Sequence, residues 1–131
     1  IRETFPDISV TCSEINYKLA DILTMKGYPV EHRNMYDQPC KEQFDRIIMN
    51  PPFENLQDID MVTHCFEKLL KPNGVLVSIM SSSVKTGSSK KHKEFQSLVE
   101  TNGSWEYVEP NAFKNSLIQT NVNVCIVRLI K

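Results

Sequence analysis

With 131 residues, 40% of them apolar and 24% charged, the chain has the composition of one soluble domain with a single core, not of a disordered or fibrous protein. Its formal net charge of −1 excludes a generally basic surface, so any contact with nucleic acid must be local. Cys12, Cys40, Cys65 and Cys125 are scattered without a C-x-x-C pair, no apolar run approaches the ~18 residues of a membrane span, and no signal peptide is visible. These features predict a cytoplasmic protein with reduced thiols and no metal site, rather than a disulfide scaffold.

Residues 8–12 (ISVTC) are β-branched and apolar and predict a buried strand ending at Ser13 and Glu14. Ile15, Leu19, Ile22 and Leu23 fall at helical spacing, and Gly27 stands where a helix C-terminus favours positive φ. A short strand over 28–32 and a loop over 33–43 follow. Residues 44–49 (FDRIIM) form the next strand, stopped by two prolines that cannot donate to a ladder. Residues 54–58 read as polar loop. Ile59, Val62, Phe66, Leu69 and Leu70 then make one helical face, closed by Pro72-Asn73-Gly74.

Residues 75–80 are a continuous apolar run, which predicts a strand covered on both faces. A Ser/Gly-rich loop over 81–89 leads to an amphipathic helix over 90–101 that uses Phe95, Leu98 and Val99. Strands over 105–109 and 122–130, joined by a long polar connection, complete the chain. Strands separated by helices of this length imply right-handed crossovers. The expected fold is α/β, a doubly wound, mainly parallel sheet with a C-terminal antiparallel hairpin, in one domain over residues 1–131. Ligands of such sheets bind at the carboxyl ends of the strands. Glu14, the loop over 34–37, residues 50–53 and Ser81–Ser83 all fall at such ends.

Asn50-Pro51-Pro52-Phe53 carries the sharpest chemical signal. An exocyclic amine on a heteroaromatic ring is a poor nucleophile, because its lone pair is delocalised into the ring. Acceptors for its N–H bonds let the lone pair localise during attack on an electrophile. The Asn50 side-chain oxygen supplies one acceptor, and the Pro51 carbonyl a second, held in fixed geometry by consecutive prolines. Phe53 offers a flat face on which a base taken out of a duplex can stack. The plainer reading is a turn followed by a core phenylalanine.

The stretch FDRIIMNPPF resembles the catalytic motif of class I S-adenosylmethionine-dependent methyltransferases, specifically the amino-methyltransferases of the N6-adenine type. The resemblance extends over most of the chain. ISVTCSEIN is similar to the family's second strand, which implies that Glu14 binds the ribose hydroxyls of S-adenosylmethionine and that Ile15 lies against its adenine. HRNMYDQP is similar to the third-strand loop, where an acidic residue meets the adenine amine. By spacing, that position is Asn34, followed by Met35, with Asp37 as the competing acidic residue.

The resemblance implies methylation of the N6 amine of adenine in DNA, with Asn50, Pro51, Pro52 and Phe53 as the catalytic set. RNA, or a glutamine amide in a protein, would suit the same motif, and a non-catalytic accessory module would keep the fold alone. The family's first strand and Gly-rich loop have no counterpart here. Ile1 to Phe5 reads like the tail of an interrupted helix, so the expectation is a domain truncated at its N-terminus that supplies only the adenosine half of the cofactor site.

The segment 85–93 (KTGSSKKHK) places Lys85, Lys90, Lys91 and Lys93 beside the expected base site. It reads either as a solvated helix start or as a patch for nucleic-acid backbone. With no recognition module in the sequence, choice of target is expected from a region or partner outside it. Asp60 and His64, four apart, suit a surface salt link better than a metal or acid/base pair. His32 and His92 have no partner at ligand spacing, and Cys65 between Val62 and Phe66 reads as a small core residue.

Overall fold

The computed structural model describes residues 3–31, 34–38, 43–108 and 123–131. His32, Cys40 and the long polar connection after residue 108 lie outside the described residues. The chain divides into two compact units, Ile1–Pro39 and Cys40–Lys131.

In the first unit, strand β1 (Cys12–Ser13) pairs in parallel with β2 (Val30–Glu31), and helix α1 (Tyr17–Met25) connects them. The expected strand over 8–12 contracts because only two residues find ladder partners, and Ile8 is exposed. Helix α1 begins at Asn16, whose side chain accepts from the Lys18 and Leu19 amides, and Gly27 (φ 78) turns the chain after it. The apolar stripe of α1 stays open. Ala20 is buried, Leu23 half-buried, and Leu19 and Ile22 are exposed.

The second unit is a four-stranded mixed sheet in the order β3-β4-β6-β5. Strand β3 (Phe44–Met49) runs parallel to β4 (Leu70–Ser81), while β6 (Val124–Ile130) is antiparallel to both β4 and β5 (Gly103–Tyr107). The α/β class and the terminal antiparallel pair are those expected from the sequence. Strand β4 starts earlier than its apolar run, and its register against β3 slips where Pro72-Asn73-Gly74 interrupts it, with Asn73 at φ 63.

Helix α2 (Gln57–His64) continues as a π-helical turn, Cys65–Leu69. It begins two residues before Ile59, so the expected loop over 54–58 is a 3-10 turn (Glu54–Leu56) and the first turn of α2. The loop over 81–89 likewise holds a short helix α3 (Ser83–Thr86), before α4 (Lys90–Asn102).

The core lies between one face of this sheet and the helices α2 and α4. Leu76 and Met80 from β4, Cys125, Val127 and Leu129 from β6, Val62 and Phe66 from the α2 stretch, and Phe95 and Val99 from α4 are all buried. Each such side chain contributes ~1.5–3 kcal/mol on leaving water. Phe95 meets Trp105 of β5 edge to face at 6.0 Å. The opposite sheet face is not fully covered as the sequence predicted: Val75, Val77 and Ile79 are half-buried, and Ile48 is 68% exposed.

Candidate functional site

Two sets of strand ends carry the residues singled out from the sequence. In the first unit, β1 and β2 are parallel, so the segments that follow them leave from the same end. Glu14 follows β1 directly. Its backbone N–H donates to the Glu31 carbonyl (3.3 Å), and its Oε1 accepts from the Asn16 amide (2.8 Å). The half-buried carboxylate is thereby fixed in direction, with the exposed Ile15 side chain next to it.

Past β2, the Asn34 side chain caps the turn Met35–Asp37, accepting the Tyr36 N–H at 3.1 Å. Met35 is half-buried and Asp37 exposed. The turn is held further by Gln38, a buried amide that donates to the Glu31 carboxylate. Glu14 and the Asn34 turn therefore stand at neighbouring strand ends.

In the second unit, Asn50 leaves the end of β3, one residue beyond the Met49–Ser78 pairing. Asn50 is exposed, Pro51 buried, Pro52 exposed and Phe53 half-buried. The burial of Pro51 anchors the backbone between the exposed Asn50 and Pro52 at this edge.

The chain then makes an unusual turn. Asn55 (φ 53) and Leu56 (φ 59) both adopt the left-handed conformation before α2 begins. Asparagine accepts that conformation readily, but leucine does so at a cost of ~1–2 kcal/mol.

Strand β4 ends at the same edge, and the segment after it is tightly bonded. The Ser81 and Ser83 hydroxyls are 2.8 Å apart, and the Ser82 amide donates to the Asn123 carbonyl. The Gln96 side-chain NH2 lies 3.0–3.1 Å from the carbonyls of Val84, Lys85 and Gly87, its two N–H groups shared among the three. Ser89 caps α4 and meets His92 Nδ1 at 2.6 Å. The His92 ring occupies the space where a Cβ at position 87 would stand, which accounts for Gly87.

The lysines of this segment are only partly available. Lys91 donates to Asp60 Oδ2 (2.8 Å), linking α4 to α2, and Asp60 thus has a partner beyond its own helix. Lys90 lies 3.8 Å from Glu94, Lys93 reaches Gln96, and Lys85 is exposed.

Asp58 is the functional candidate that sequence reasoning missed. Its side chain is completely buried, yet it accepts from the Ile59 amide (3.0 Å) and, across the edge, from the Ser81 amide (3.2 Å). Burial pushes its carboxyl above the ordinary range, against the lowering effect of those two N–H groups. Among ENLQD it looked like one more loop residue; its place just ahead of an apolar helical run was the only local signal. Cys65 is a core residue, as expected, and burial pushes its thiol up to about 12, out of nucleophilic range.

Solved structures resemble this chain in fold at low identity. The plantazolicin methyltransferase BpumL in complex with SAH superposes with a TM-score of 0.61 at 12% identity, over 100% of this chain and 69% of its own. The 23S rRNA methyltransferase ErmE gives 0.59 at 17% identity, over 92% and 52%. An rRNA methylase from Streptococcus thermophilus gives 0.53 at 14% identity, over 94% and 73%. No curated protein matches the chain in sequence. The family model of the methyltransferase small domain matches residues 4–108, so the chain belongs to the methyltransferase small domain family.

Proposed function

We propose that this chain is an S-adenosylmethionine-dependent methyltransferase that modifies the N6 amine of adenine in DNA, and that residues 1–131 act as one domain. The observation that carries the reading is Asn50-Pro51-Pro52-Phe53 at the end of a parallel strand, with the amide exposed, Pro51 buried and the aromatic ring half-buried.

The residues present suit the cofactor. Glu14 uses Oε1 to accept the Asn16 amide, so Oε2 is the atom suited to a ribose hydroxyl. Ile15, 63% exposed, offers an apolar surface to the adenine. The Asn34 oxygen already accepts one N–H and has a second lone pair for the adenine amine, with Met35 and Asp37 in the same turn. When bound, S-adenosylmethionine supplies an electrophilic methyl group on a sulfonium.

The chain's own contribution is to the target amine. Asn50 Oδ1 and the Pro51 carbonyl accept its two N–H bonds, which draws the lone pair out of the ring and aims it. The buried Pro51 holds its carbonyl in place before the substrate arrives, and together the two acceptors stabilise the positive charge that grows on nitrogen. Phe53 holds the ring by stacking. After transfer the nitrogen sheds one proton. An amide oxygen is too weak a base to keep it, so the proton passes to water. Lys85, Lys90, Lys91 and Lys93 supply the local positive charge for phosphates that the net charge of −1 does not.

The deciding experiment incubates the complete protein, with the Gly-rich cofactor loop that residues 1–131 do not supply, with radiolabelled S-adenosylmethionine and, separately, duplex DNA, single-stranded DNA, RNA and a glutamine-containing peptide. Products are then hydrolysed and identified by mass spectrometry. N6-methyladenine in DNA is the expected product. Label confined to RNA or to a glutamine amide would overturn the choice of polymer, and label elsewhere on a base would overturn the amine.

A further inference from the structure

We infer that Asp58 is a positioning residue, a buried clasp that holds the left-handed turn at Asn55 and Leu56 and so sets the aim of Asn50 and Phe53. The inference rests on the methyltransferase reading above for its functional part only.

Three observations converge on this role. First, the chain between Phe53 and α2 is bent through two consecutive left-handed residues without a glycine. Such a conformation persists only where the surroundings impose it. Second, the residue that anchors the far side of that bend is Asp58, whose two oxygens are divided between two elements. Oδ1 takes the amide of Ile59 in α2, and Oδ2 takes the amide of Ser81 at the end of β4. The ends of β3 and β4 lie side by side in the parallel pair, so the clasp ties the loop leaving β3 to the mouth of its neighbour. Third, a fully buried carboxylate is an expensive way to make such a tie. An amide would accept only one of the two N–H groups and turn its own NH2 toward the other.

The β4 side of the clasp is itself immobilised. The Ser81 carbonyl accepts from the Cys125 thiol, the Ser82 amide bonds to Asn123, and Gln96 pins the carbonyls of the next turn. Asp58 is therefore attached to a rigid post. It touches no solvent and both its oxygens are engaged, so it neither meets substrate nor accepts the amine's proton; its action is through the turn.

The experiment uses Asp58→Asn, Leu56→Gly and the double variant in the complete protein. Glycine adopts the left-handed conformation without penalty, so Leu56→Gly supplies locally what the clasp imposes from a distance. Amide hydrogen exchange over residues 53–57 tests the clasp without reference to activity. Exchange should rise on the order of tenfold in Asp58→Asn and fall back in the double variant.

Turnover tests the aim. In Asp58→Asn, kcat should fall on the order of tenfold to a hundredfold with cofactor affinity unchanged, and should recover in part in the double variant. Unchanged exchange over 53–57 would overturn the clasp. Raised exchange with wild-type kcat would overturn its link to the site. Wild-type protein without methyl transfer to any amine would overturn the functional reading, and the exchange result would still decide the clasp.

Discussion

Replacing Asn50 by alanine tests the proposed chemistry most directly, because the structure separates its effects. Asn50 is exposed and lies beyond the last ladder pair of β3, so truncating it empties no cavity and breaks no strand bond. The stability change should stay within ~0.5 kcal/mol. The cofactor groups proposed here, Glu14 and the Asn34 turn, belong to the other compact unit, so binding of S-adenosylmethionine should also be unchanged. What disappears is one preorganised acceptor for an amine that becomes positively charged, a loss of roughly 3 kcal/mol in transition-state stabilisation, or on the order of a hundredfold in kcat. Asn50→Asp keeps an acceptor oxygen and should fall less far. Single-turnover methyl transfer, with cofactor affinity from calorimetry and stability from denaturant melts, separates the three quantities. Near wild-type turnover in Asn50→Ala would make Asn50 a turn residue, and a parallel loss of cofactor affinity would place it in the wrong half of the reaction.

Neutralising Lys90, Lys91 and Lys93 together should weaken DNA binding for all sequences alike and reduce the slope of log affinity against log salt by up to about three; Lys91 already serves Asp60, so a smaller change is informative and none would make the segment a solvated helix start. The buried thiols give an alkaline limit: Cys65 rises from 9.0 to about 12 and Cys125 to about 11, so the native state holds protons that the unfolded chain releases. Their contribution to stability is thus complete below pH 9.0 and lost between there and about 12, which denaturant melts against pH should display and Cys65→Val should diminish. Gly103→Ala would place a Cβ 1.9 Å from the Arg128 carbonyl, forcing β5 away from β6; a loss of about 1–3 kcal/mol in chemical unfolding is expected, and an unchanged midpoint would contradict the packing at that edge.

Parts of this fold were legible because their signals are local. The strand Phe44–Met49 matches its sequence assignment to the residue, since a β-branched run that ends at two prolines leaves no freedom in where pairing stops. The helix Lys90–Asn102 begins at a serine cap and ends where the Gly103 amide donates to Val99, both readable as letters. The strand expected over 8–12 failed for the opposite reason. Its composition favours extended chain, but strand length is set by partners, and only Cys12 and Ser13 have them in the ladder with β2.

The candidate site divides along the same line. Asn50, Pro51, Pro52 and Phe53 stand out in the sequence, because the proposed acceptor pair and the aromatic ring beside it are consecutive residues. The bonds proposed to orient them are written elsewhere. Asp58 finds Ser81 across 23 positions, and Lys91 finds Asp60 across 31. No periodicity or propensity announces bonds of that span, and a leucine at φ 59 contradicts propensity outright. A local rule broken at Leu56, a buried carboxyl at Asp58 and the proposed acceptor motif at Asn50 all lie between positions 50 and 58. Natural chains keep such conflicts mainly where they do something, and here the conflict stands between the proposed acceptor turn and the helix that follows it. On the proposed reading, the strand ends set where the chemistry is, and the long-range clasp sets how well it is aimed.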